Sequence, residues 1–256
     1  MIRNCVLYKV RSEEPVEKID GRAIQTVSLR ECLKDVEGQA KKRIESLSKI
    51  TRKEKLELDE ETSSHFKFSL SCEFRARRMV AAGDGLSPFV PVRVEAWLSK
   101  KQPHVVTFDA GRQLSSVAVS LMSKSLFGNL RAIESLKLTN EAFFSLKDWL
   151  VKSDSKKRGE ITRVTLQKVQ ADTAVFKQIV LSAPNLESIR LFKDLFPSAA
   201  AVSNMTFATP VLRASNRPLL CRLTSWGGIT VYTPNPLPSE FAELVATIRG
   251  FGQDRT

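Results

Sequence analysis

Two short stretches of this 256-residue chain set an arginine four residues ahead of a tryptophan: P-V-R-V-E-A-W, with Arg93 and Trp97, and L-C-R-L-T-S-W, with Arg222 and Trp226. On a β-strand, residues two apart point the same way, so each Arg and Trp pair shares one face. A guanidinium grips phosphate through its fork of donors, and an indole stacks on a base. That chemistry is phosphate-backbone and base contact rather than catalysis. The polar sides of other alternating stretches add Lys67, Arg75, Arg77, Arg163 and Thr224 to the same candidate face. The competing use of both indoles is packing, and of Arg93 and Arg222 a cross-strand pair with neighbours such as Glu95, a surface effect under about 1 kcal/mol.

Net charge points the same way. Lys and Arg number 40 against 28 Asp and Glu, giving +12 and a pI near 9.7. Such an excess draws a polyanion, by counterion release from nucleic acid or by attraction to acidic lipid. DNA or RNA is therefore the expected partner. The stretches Lys41-Lys42-Arg43, Arg52-Lys53 and Lys156-Lys157-Arg158 read first as solvated faces and loops that could extend an anionic track.

The sequence offers no familiar catalytic signature. Only two histidines occur, His65 and His104, without ligand partners at metal spacing, and no nucleophile elbow, phosphate loop or dinucleotide fingerprint is found. Asp84, Asp109 and Asp172, with Lys100 and Lys101, are the nearest approach to a magnesium nuclease. That chemistry wants an E-x-K or D-x-D element, and the closest match, Glu73 with Arg75, supplies a poor general base. No enzyme, metal or cofactor is expected. Cys5, Cys32, Cys72 and Cys221 lie far apart and read as buried thiols in a reducing compartment. No apolar run approaches the roughly 20 residues that span a bilayer, so a cytoplasmic or nuclear protein without a membrane partner is expected.

The elements that must position these residues follow from periodicity. Alternation over residues 2–10 predicts a first strand, and Ser28 with Glu31 predicts the capping box of a helix whose apolar stripe runs from Leu29 to Leu47. Residues 51–62 are charged, lack a clean period and read as a solvated connection. Phe66, Phe68, Leu70, Cys72 and Phe74 alternate with polar residues in the clearest strand of the chain, and Val92, Val94, Ala96 and Leu98 do so in the next. K-K-Q-P reads as a hairpin loop, H-V-V-T-F-D as the return strand, and residues 114–127 as a buried helix capped by Gly128. Beyond it come a strand at A-I-E-S-L-K-L, a helix capped at Thr139 or Asn140, and strands at E-I-T-R-V-T-L-Q-K-V and near 176–181. Residues 186–196 fit either helix or strand, with helix preferred, and a final helix begins near Leu237.

Setting residues 91–128 beside 219–252 aligns strand, hairpin, strand and helix, with Arg93 on Arg222 and Trp97 on Trp226. The chain is thus expected to be α+β and internally duplicated, residues 1–130 and 131–256 forming two repeats that share one curved, mostly antiparallel sheet with helices on one face. This order of elements resembles the saddle fold of TATA-box-binding protein and the duplicated sheets of the kinetochore centromere proteins N and L. The resemblance implies a sheet face presented to a ligand. The paired phenylalanine wedges of the saddle family are not found at matching positions, so no family residue is carried across. The expected function is non-enzymatic nucleic-acid binding. The alternative is an assembly or adaptor protein whose open sheet face takes a protein partner or a second copy of the chain.

Overall fold

Alternating large apolar side chains at residues 66–74 demand a surface to bury against, and Phe66, Phe68 and Leu70 are fully buried. The computed structural model describes residues 3–11, 27–82, 85–100, 104–152, 158–171 and 174–251. The chain is α+β and divides into two compact units, Cys5–Ser135 and Leu136–Thr256 taken with Met1–Asn4.

The first unit runs β1 (Arg3–Val10), α1 (Leu29–Cys32), a 3-10 turn, α2 (Gly38–Ser48), β2 (Thr51–Glu61), β3 (His65–Ala82), β4 (Gly85–Ser99), β5 (His104–Phe108), α3 (Arg112–Phe127) and β6 (Ile133–Ser135). Its sheet has the order β2-β3-β4-β5-β1, antiparallel throughout, with β6 paired to β1. Phe66, Phe68 and Leu70 of β3 and Val94, Ala96 and Leu98 of β4 are buried together, and α3 packs on β4 and β5 through a stripe that includes Val117, Ala118, Leu121 and Met122. Gly128 ends α3 at φ +64°, a left-handed cap whose N–H donates to Lys124 O at 2.9 Å.

Two expectations for this unit are corrected. The predicted long helix is broken: the capping box forms, Ser28 N–H donating to Glu31 Oε2 at 2.7 Å, but α1 lasts one turn. Val36 is extended and Gly38 takes φ +60°, which restarts the helix as α2. Residues 51–61, expected to be a solvated connection, are the edge strand β2. Register shifts between Arg52 and Lys55 and between Leu58 and Glu60, with Lys53 at φ +55°, break the two-residue period that would have announced it. The turn at Gly83–Asp84 and the loop at Lys101–Pro103 lie outside the described residues.

The second unit runs α4 (Asn140–Lys152), β7 (Glu160–Ala171), β8 (Ala174–Ser182), a 3-10 turn, α5 (Arg190–Ser198), β9 (Ala199–Ala208), β10 (Leu220–Thr224), β11 (Gly228–Val231) and α6 (Pro238–Phe251). Its sheet has the order β8-β7-β9-β10-β11, again antiparallel. The segment that fits helix or strand is helix from Arg190, after a 3-10 turn at Leu186–Ser188. α4 packs on β7, β9 and α6, burying Phe143, Leu146 and Leu150 against Val164, Leu166, Met205 and Phe207. Asn140 pins the start of α4 to β9: its amide donates to Ala199 O and Ala200 O at 3.2 and 3.0 Å and accepts from Val202 N–H at 2.9 Å. The four cysteines are free and buried. Among the described residues, no helix is long and apolar enough to cross a membrane.

Candidate nucleic-acid interface

Strand pairing in the second unit assembles one row of side chains across all five strands. Arg222 of β10 lies opposite Thr206 of β9, Thr206 lies opposite Arg163 of β7, Arg163 opposite Ser182 of β8, and Arg222 also opposite Thr230 of β11. Cross-strand partners share a face. The row therefore reads hydroxyl, cation, hydroxyl, cation, hydroxyl on the face away from α4. Both arginines are exposed. With strands about 4.8 Å apart, their backbones stand roughly 10 Å from one another. Arg163 owes its outward aim to a bulge: Ile161 is buried in the core, and the register shift between Ile161 and Arg163 turns the arginine to the opposite face.

The first unit carries a shorter row of the same kind. Arg93 of β4 lies opposite Ser71 of β3, and Ser71 lies opposite Lys55 of β2, so cation, hydroxyl and cation repeat on three neighbouring strands. What differs is the company. Two and four residues beyond Lys55 stand Glu57 and Asp59; two and four beyond Arg163 stand Thr165 and Gln167. Lys55 Nζ pairs with Glu57 at 2.6 Å. Arg93 Nη2 lies 3.2 Å from both Asp59 oxygens, and Ser69 Oγ completes the cluster, donating to Asp59 Oδ1 at 2.9 Å. Lys67 pairs with Glu95 at 3.4 Å. Lys53 and Arg52 together hold the Glu73 carboxyl below the usual carboxylate range. On this face both cations of the row, Lys55 and Arg93, have a carboxylate partner. No ion pair among the described residues involves Arg163 or Arg222.

The two tryptophans do not share a role. Trp97 stays on the β4 face with Arg93, but its half-buried ring has packing partners: it stacks on His65 at 4.9 Å, meets Phe108 edge-on at 5.0 Å, and its Nε1–H donates to Glu95 Oε1 at 2.7 Å. Trp226 departs from the expected alternation, because β10 ends at Thr224 and the tryptophan falls in the turn before β11. There its ring lies over Gly228, where an added Cβ would collide with the indole and with Thr224 Oγ1. An exposed aromatic that does share the face with Arg222 is Tyr232. Its N–H donates to Leu220 O at 2.8 Å, continuing the ladder, and both Tyr232 and Leu220 are exposed. The period-two step from Thr230 to Tyr232 was the signal for it.

Of the remaining candidates, Arg75 is exposed on β3 opposite Phe89, and the Arg77 side chain lies outside the described residues. Thr224 binds its own turn, accepting from Gly228 N–H at 2.9 Å. Lys100, considered beside Asp109 for a nuclease, instead donates to Glu61 Oε1 at 2.7 Å and lies over the Phe66 ring. Asp84 and Asp172 lie outside the described residues. Among the described residues no cluster of three or more His, Cys, Asp or Glu side chains is placed to hold a metal. No protein-family model matches this chain, and no curated protein matches it as a relative.

Proposed function

We propose that the protein binds nucleic acid non-enzymatically, through the face of the second unit's sheet that carries Arg163 and Arg222. The observation that carries this reading is the row itself: two exposed arginines about two strands apart, separated and flanked by hydroxyls, without a paired carboxylate among the described residues. Guanidinium groups so spaced meet successive phosphates, hydroxyls add neutral donors, and Tyr232 offers a ring for a base. The net charge of +12 steers a polyanion toward the chain.

The same reading takes the two units as copies of one plan. In each, a helix is followed by four antiparallel strands paired in sequence order and then by a helix: α2, β2-β3-β4-β5, α3, and α4, β7-β9-β10-β11, α6, with β8 and α5 inserted after β7. The matching cationic rows support this duplication at the level of side chains. One copy neutralises its row with Glu57 and Asp59, and the other keeps its row for a ligand.

Fluorescence anisotropy with labelled duplex and single-stranded oligonucleotides tests the proposal. Binding at low salt is expected, weakened at least tenfold by Arg163→Ala with Arg222→Ala. Absence of binding at low salt would overturn it.

A further inference from the structure

The two sheet edges given by β2 and β8 are treated in opposite ways by the sequence. β2 is guarded: eight of its eleven residues are charged, and two register shifts bend it. β8, A-V-F-K-Q-I-V-L-S, carries one charge and pairs with β7 without a register shift. Every residue of β8 except Ile179 and Leu181 is exposed, with Val175 at 69%, Phe176 at 48% and Val180 at 43%. A long, regular, apolar edge is the form that solitary chains avoid.

The hydrogen-bond phase of β8 is fixed by Ala183 N–H donating to Thr162 O at 3.1 Å. Antiparallel ladders alternate, so residues 179 and 181 turn their N–H and C=O toward β7, and the unchanged register beyond Lys168, which takes φ +48°, sets residue 175 the same way. Those of Phe176, Gln178 and Val180 then face outward.

We infer that β8 is a self-association strand, which pairs antiparallel with the β8 of a second copy about a twofold axis through Gln178. Gln178 is the central residue of the strand. Pairing about it sets outward groups against outward groups, so the free donors and acceptors of both edges meet in register. The side chains match under the same operation. Phe176 falls opposite the partner's Val180, Val175 opposite the partner's Leu181, and Lys177 opposite the partner's Ile179, so no charge faces a like charge. Such self-complementarity is what an isologous interface requires. The occupant is a second copy rather than an unrelated strand because one short sequence supplies both halves of each apolar pair.

The inference is independent of the oligonucleotide reading, and its test needs no nucleic acid. Sedimentation velocity of the full chain, from low micromolar to several hundred micromolar, is expected to show a monomer–dimer equilibrium. Gln178→Pro removes an outward N–H that β7 does not use, and Val180→Lys sets lysine against Phe176 of the partner. Each is expected to weaken dimerisation at least tenfold with an unchanged circular dichroism spectrum. Hydrogen exchange gives a second readout: the Gln178 and Val180 amides are protected at high concentration and exchange on dilution, while Ile179 stays protected. A monomer throughout the range, or a dimer unaffected by both variants, would overturn the inference.

Discussion

Arg163 and Arg222 stand opposite the same residue, Thr206, from strands on either side of it. In the first unit, Lys55 and Arg93 flank Ser71 in the same way. Position alone thus does not distinguish the two rows. Carboxylates do: Glu57 and Asp59 occupy one unit where Thr165 and Gln167 occupy the other.

Transplanting that difference should transplant the behaviour. Gln167→Asp places a carboxylate where Asp59 stands relative to its own row, and it is expected to weaken oligonucleotide binding about tenfold, as loss of a charge-assisted contact does. Gln167 is exposed, so the unfolding free energy from urea titration should stay within about 0.5 kcal/mol of wild type. Gln167→Ala, measured beside it by anisotropy, should bind as wild type.

The tryptophans should report on stability. Trp97→Ala empties a ring held between His65 and Phe108, and a loss of about 3 kcal/mol is expected in urea unfolding. Gly228→Ala pushes a methyl into the Trp226 ring and should cost about 1–3 kcal/mol. In conditions where the variants remain folded, oligonucleotide affinity should be unchanged.

Much of the fold was legible because its period was clean. β3 and β4 alternate without interruption over the residues that form their core face, and the capping box at Ser28 and the cap at Gly128 are local signals that the structure keeps. Failures cluster at bulges. β2 was missed because Lys53 and two register shifts scramble its alternation. β9 was overlooked because it opens on three alanines and shifts register between its pairings with Thr165 and Leu166. Trp226 was misplaced because spacing cannot show where a strand ends and a turn begins. Arg163 and Arg222 were each readable as strand cations. Their meeting across Thr206, and the quenching of Arg93 by Asp59 some 34 residues away, depend on pairing between distant segments.

Glu240 supplies a pH test of the second unit. Burial works against its charge, but bonds from Ser215 Oγ, Leu237 N–H and Arg217 hold its carboxyl below the usual range. A depressed folded pKa contributes stability above the unfolded value, about 4.3, that is lost as pH falls through the folded value. The urea midpoint should therefore hold from neutrality to about pH 5 and fall below it, and Glu240→Gln should flatten that part of the fall. The same change at neutral pH should cost about 1.5–3 kcal/mol.

Thiol chemistry should be silent in the native state. Burial pushes the Cys221 thiol up to about 12 and, with Glu54 nearby adding to it, the Cys72 thiol up to about 11. Thiolate is the reactive form, so labelling of both by a thiol reagent should await unfolding. Rapid native labelling at either position would contradict their burial.

The salt dependence of oligonucleotide affinity tests the central claim most directly. On duplex DNA each phosphate contact contributes about 0.9 to the slope of log affinity against log salt. Arg163→Ala with Arg222→Ala should lower that slope by about two, while Lys55→Ala with Arg93→Ala should leave it unchanged. A slope that both double variants lower equally, or that neither lowers, would contradict a ligand-binding row confined to the second unit.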